Sequence, residues 1–191
     1  GGGWFDGYSV KLKDAVDAEG NVLKTCTAKL YARLQGDEYY GQAMNLILSR
    51  DGNVKLQMPN YGGSWESYYY TLTKEQAAQL GKDGLKVYLN HSADAHSVTV
   101  YLGDGQSLVP VRTFTYGSGE LWAKGYSLEY EGSGSDSVEM TAACYKHDMA
   151  VQEALNRAYE ASYTVKEGTV LIYSDFVNRE QTFSGSEESE T

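Results

Sequence analysis

Residues 24–59, KTCTAKLYARLQGDEYYGQAMNLILSRDGNVKLQMP, decide how this chain folds. Along Cys26, Ala28, Leu30, Ala32 and Leu34 every second residue is apolar, with Thr25, Thr27, Lys29 and Arg33 falling between. After Gly36-Asp37-Glu38 the rhythm resumes at Tyr40, Met44, Leu46 and Leu48. After Arg50-Asp51-Gly52-Asn53 it resumes again at Val54, Leu56 and Met58. A pleated strand sends successive side chains to opposite faces, so this spacing predicts three strands, each with one buried and one wet face. The Asp51-Gly52 pair offers the positive φ that a tight hairpin needs.

The same period spreads outward from this stretch. On the N-terminal side, residues 4–12 read as a strand that ends in a polar loop closed by Gly20-Asn21. On the other side, Tyr61-Gly62-Gly63-Ser64 turns the chain into residues 65–72, WESYYYTL. There Trp65, Ser67, Tyr69 and Thr71 share one face, and Glu66, Tyr68, Tyr70 and Leu72 share the other. Thr73 with Gln76 three residues later has the form of a capping box, which predicts a short helix from Lys74 to Leu80. Gly81 and Gly84 stop it. Further strands are expected near residues 85–89, 96–102, 108–116, 121–130 and 137–145, separated by turns rich in Gly, Ser, Asn and Asp.

The period then changes. Ala150, Val151, Ala154, Leu155, Ala158 and Tyr159 form two adjacent rows at i, i+4 spacing, which predicts an amphipathic helix over residues 148–162. A last strand is expected at 169–177, and residues 180–191 are acidic and aperiodic, as in a disordered tail. The expected organisation is a single antiparallel β domain over residues 1–179. Its class is all-β with one C-terminal helix and one short mid-chain helix. An antiparallel meander of this kind hides its edges by closing as a barrel or by packing as a two-sheet β-sandwich or jelly roll.

Composition narrows the partners. Against 16 basic residues stand 26 acidic ones, a formal charge of −10 that repels phosphate backbones and anionic membranes; nucleic acid is not an expected partner. The 17 tyrosines suit strands and also exposed binding surfaces. No apolar run is long enough to span a bilayer. The Gly1-Gly2-Gly3 start without Met reads as a processed or trimmed beginning, which leaves export open. Cys26 and Cys144 both sit in apolar alternation. They are two buried thiols or, in an exported protein, one disulfide joining an early strand to a late one. Such a bridge contributes about 4–5 kcal/mol in the chain-entropy model.

Few residues carry the spacing of catalysis. His91, Asp94 and His96 could take a divalent metal, but they flank a turn and lack a fourth ligand, so turn polarity accounts for them better. His147 reads as a cap or surface residue. No Gly-x-Ser-x-Gly elbow or phosphate-binding glycine motif occurs; Gly117-x-Gly119 precedes a strand rather than a helix. Glu120, Glu129 and Glu131 could form a hydrolytic carboxylate pair only at a separation that spacing does not reveal, and a solvated edge explains them. No cofactor or metal is expected, and no enzyme, with a jelly-roll glycoside hydrolase as the enzymatic alternative. The aromatic sets are the candidate ligand-binding residues: Tyr61, Trp65, Tyr68 and Tyr70 in one turn and strand, and Trp122 and Tyr126 in another. Tyr69 lies beside the first set and Tyr130 extends the second. Exposed aromatic rows stack on sugar rings or anchor a protein partner, whereas buried ones build a core.

Gly2-Gly3-Trp4 opens the chain, Asp51-Gly52 leads into one strand, and Gly63-Ser64-Trp65 opens the next. With a late helix and a final strand, this order resembles the lipocalin-like barrel domains of bacterial lipoproteins. The chain departs from that pattern in having too many strands for an eight-stranded barrel and in the extra helix from Lys74 to Leu80. The resemblance implies a calyx that holds one small apolar ligand. The expectation is therefore a non-enzymatic exported domain, secreted or a cell-surface lipoprotein. It would bind a small hydrophobic molecule in a barrel or a carbohydrate on an aromatic face. The alternative is a structural or adhesive subunit that meets other surface proteins.

Overall fold

A computed structural model describes residues 3–34, 41–59, 66–92, 96–103, 108–115, 123–132, 138–147, 159–165, 170–173 and 184–185. Side chains are described for residues 10–29, 44–58, 66–90, 92, 96–103 and 108–115.

Among the described residues the chain is mostly β, in two antiparallel sheets with one short helix. It runs through β1 (Gly3–Lys13), β2 (Cys26–Leu34), β3 (Gly41–Leu48), β4 (Val54–Pro59) and β5 (Ser67–Thr71). The helix α1 (Lys74–Gln79) follows, then β6 (Leu85–Ser92), β7 (Ser97–Gly103) and β8 (Leu108–Thr115). The rest comprises β9 (Ala123–Gly132), β10 (Val138–His147), β11 (Tyr159–Val165), β12 (Val170–Tyr173) and β13 (Ser184–Gly185). The first sheet has the order β11-β10-β1-β6-β7-β8 and the second β13-β12-β9-β2-β3-β4-β5.

The period-two stretch folds as its pattern requires. On its inner face Cys26 and Ala28 of β2, Met44, Leu46 and Leu48 of β3, and Val54, Leu56 and Met58 of β4 are all buried. The hairpin between β3 and β4 turns at Gly52, whose φ of +87° is open to glycine. Its turn is held by Ser49 N–H to the Asn53 carbonyl at 3.0 Å and by Asn53 N–H to Asp51 Oδ1 at 2.9 Å. The first sheet contributes Val10, Leu12, Val87, Leu89, Val98, Val100, Leu102 and Phe114 to the same hydrophobic cluster. The two sheets therefore share one core. Helix α1 forms with its capping box: Thr73 Oγ1 accepts from Gln76 N–H at 3.1 Å, and Gln76 Oε1 accepts from Thr73 N–H at 2.9 Å. Ala77 and Leu80 seat it on the core.

Three expectations are corrected. First, the strands do not run as a continuous meander. β1 pairs with β6 and β10 rather than with β2, and no described pairing closes either sheet into a barrel. Alternation fixes which face of a strand is buried, not which strand lies beside it. Second, the helix expected over 148–162 overlaps β11, in which residues 159–165 pair with β10 from Cys144↔Tyr159 to Val138↔Val165. Tyr159, Ala161, Tyr163 and Val165 alternate with Glu160, Ser162 and Thr164, and this period prevails where the ladder is available. Residues 148–158 lie outside the described residues. Third, the expected tail contains β13, whose Ser184 and Gly185 pair with Ile172 and Leu171 of β12. A two-residue strand has no room for a period, so composition alone misses it. The last strand, expected at 169–177, is described as β12 over Val170–Tyr173.

Candidate functional site

The outer face of the second sheet is where chemistry collects. Because β2, β3, β4 and β5 are in register, one row across the sheet runs Lys29↔Asn45↔Gln57↔Tyr69. Asn45, Gln57 and Tyr69 each fall between two inward-facing neighbours, which turns their side chains outward. Asn45 Nδ2 donates to Gln57 Oε1 at 2.9 Å, and Gln57 Nε2 donates to the Tyr69 hydroxyl at 3.0 Å. The polarity of the row leaves the Tyr69 hydroxyl with its own proton to give. Asn45 is 7% exposed, and its Oδ1 has no hydrogen-bond partner among the described residues. Tyr69 is 60% exposed. The row thus runs from a buried amide to a projecting phenol whose orientation is fixed by a hydrogen bond.

Tyr68 and Tyr70 turn the other way. Both are half-buried and pack against the core. Tyr70 donates from its hydroxyl to Gln76 Oε1 at 3.2 Å, which ties β5 to the helix cap. Tyr68 donates to Glu66 Oε2 at 3.1 Å and meets Phe114 of β8 edge-on, with ring centroids 5.5 Å apart. The guanidinium of Arg112 lies over the Tyr68 ring, 3.5 Å from its centroid. Tyr126 is on β9, opposite Ala32 and Tyr173. Tyr61, Trp65 and Trp122 lie outside the described residues.

The other candidates fall as follows. Cys26 is a buried thiol on β2. Cys144 is on β10 of the first sheet, opposite Tyr8 and Tyr159, and its side chain is outside the described residues. His96 is exposed with φ of +45°, at the turn before β7; His91 is on β6 opposite Val98; Asp94 lies outside the described residues. Among the described residues no group of three His, Cys, Asp or Glu is placed to hold a metal. Glu129 and Glu131 are on β9 opposite Lys29 and Thr27, and Glu120 is outside the described residues. No helix among the described residues is long and apolar enough to cross a membrane.

Two aspartates shape the exposed loops. The Asp17 carboxylate accepts from the backbone N–H of Asn21 at 2.8 Å and of Glu19 at 3.0 Å, and from Asn21 Nδ2 at 3.2 Å. These bonds, that to the Asn21 backbone first, hold its pKa below the ordinary carboxylate value. Asp51 is lowered likewise, first by the Asn53 backbone N–H. Beside the first loop, a groove of about 430 Å³ is lined by Glu19, Lys74, Gln79 and Lys82 among others. Lys74 there donates to the Gly52 carbonyl at 3.0 Å, which spans the two hairpin loops.

Of the three tyrosines on β5, Tyr69 projects, with Gln57 and Asn45 behind it in a hydrogen-bonded row, while Tyr68 and Tyr70 are half-buried. The available signal was Asn45 itself, a polar residue at an outward position inside the apolar run from Met44 to Leu48. Comparison with protein-family models, curated proteins and solved structures finds no match for this chain.

Proposed function

We propose that this chain is a non-enzymatic, exported binding domain that takes a carbohydrate on the outer face of its second sheet. The observation that carries this reading is the Asn45–Gln57–Tyr69 row, which ends in a tyrosine that is 60% exposed. Sugars present apolar C–H faces and a fringe of hydroxyls. A projecting aromatic ring stacks on the first, and amide and phenol groups pair with the second. The Gln57 bond fixes the ring, so little side-chain freedom is lost on binding.

We read the two sheets as a sandwich rather than a calyx. Their shared interior is filled by side chains such as Leu46, Leu56, Val87 and Val100, each 0% exposed. That filling favours a surface ligand over a small apolar molecule held inside. The test is a glycan array probed with the wild-type chain and with Tyr69→Ala. A sugar that binds wild type and loses at least tenfold affinity with Tyr69→Ala supports the proposal. Glycan binding untouched by Tyr69→Ala, or no glycan bound at all, overturns it.

A further inference from the structure

β5 is the outer strand of the second sheet, and no described strand pairs with its outer edge. Leu72 N–H donates to the Val54 carbonyl at 2.9 Å, and the ladder continues through Leu56↔Tyr70 and Met58↔Tyr68. In an antiparallel pair alternate residues turn both backbone groups toward the neighbour. The N–H and C=O groups of Ser67, Tyr69 and Thr71 therefore point away from β4. All three residues are exposed, and among the described residues no hydrogen bond takes up those groups.

The first sheet ends on the same flank with β8, since Phe114 of β8 touches Tyr68 of β5. That edge is blunted: Pro110 has no N–H to offer, Arg112 places a charge on it, and the ladder slips between Val100 and Tyr101. β5, with the sequence SYYYT and an unbroken register, has no proline, charge or bulge. An edge without such guards is a template for another strand.

We propose that β5 receives an extended peptide segment of a partner protein as an added strand, and that a carboxylate on that segment pairs with Arg112. Tyr68 points to the inner side of β5, so a residue of the added strand beside it enters the reach of the guanidinium stacked on its ring. Arg112 is exposed and, among the described residues, has no carboxylate at ion-pair distance. Glu66 is bound to the hydroxyl of the same ring rather than to the guanidinium. Stacking holds the planar fork of donors in place before binding. The formal charge of −10 disfavours a second copy of this chain, and equally a partner with many acidic residues. The fitting segment has one carboxylate among neutral, β-branched residues. This interface is independent of the sugar site, because an added strand leaves the Tyr69 ring on the outer face.

The test uses the full chain and three synthetic peptides of alternating threonine and valine, identical except for a central glutamate, glutamine or lysine. Amide hydrogen exchange is followed at Ser67, Tyr69 and Thr71, with affinity measured alongside. The glutamate peptide slows exchange at these amides and binds about two- to fivefold more tightly than the glutamine peptide, with the lysine peptide weakest. Arg112→Glu reverses the order of the glutamate and lysine peptides. Exchange at these amides that no peptide alters overturns the strand addition. An unchanged order in a folded Arg112→Glu overturns the carboxylate pairing. Protection without peptide that grows with protein concentration assigns the edge to a second copy and overturns the choice of partner.

Discussion

Leu46→Ala and Ile47→Ala put adjacent residues of one strand to opposite tests. Leu46 is 0% exposed, and its strand neighbours Ala28 and Leu56 are buried with it in the core that both sheets share. Truncation removes the transfer energy of the lost methyl groups and leaves a cavity that the flanking ladder cannot collapse. The expected cost is about 3 kcal/mol. In a domain of this size that corresponds to about 10 °C in Tm. Ile47 occupies the outer face and is half-buried, so its truncation opens no enclosed cavity and costs roughly 1 kcal/mol. Urea unfolding followed by circular dichroism measures both, and an unchanged m-value confirms that the unfolded state is common to the pair. Equal costs, or a larger cost at Ile47, would refute the assignment of faces and the shared core built on it.

Other expectations follow from single contacts. Gly20 has φ of +85°, and a Cβ there would strike the Lys74 carbonyl oxygen; Gly20→Ala should therefore lower Tm by several degrees, whereas Ala18→Gly should not. Thr73→Ala removes the helix cap and should cost about 1 kcal/mol by urea unfolding. Tyr88 is 1% exposed, and burial raises its hydroxyl pKa well above the ordinary tyrosine value. The folded chain therefore disfavours the phenolate. Stability from this group is complete below the unfolded value near 10 and is lost as pH rises above it. Alkaline unfolding should begin at higher pH in Tyr88→Phe. Asp17 and Asp51, lowered by backbone N–H bonds, favour the fold above the ordinary value of 3.8 and lose that contribution as pH falls through their depressed values. NMR titration should place both midpoints below 3.8.

The fold was legible where one face is oily and the other wet. Met44, Leu46 and Leu48 against Asn45 and Ile47 announce both a strand and its buried side, and Thr73 with Gln76 announces a helix start, because each signal is local. Sheet order is not local. Nothing in residues 3–13 says that β1 lies between β6 and β10, since strand partners are chosen by how two faces close over a common core. Residues 159–165 show the same limit from the other side: Tyr159 completes a helical row when read backward and opens a strand when read forward, and the ladder with β10 decides for residues 159–165. At the site, the tyrosine cluster of residues 68–70 pointed to β5. The side that projects became clear only with the register that lines up Asn45, Gln57 and Tyr69.

The most direct measurement is chemical-shift mapping of the wild-type chain as the best sugar from the array is titrated in. An outer-face site moves the side-chain amides of Asn45 and Gln57 and the ring of Tyr69, and leaves the core methyls of Leu46, Val87 and Val100 in place. Shifts concentrated in those methyls, with the Asn45–Gln57–Tyr69 row unmoved, would put the ligand between the sheets and contradict the proposed function.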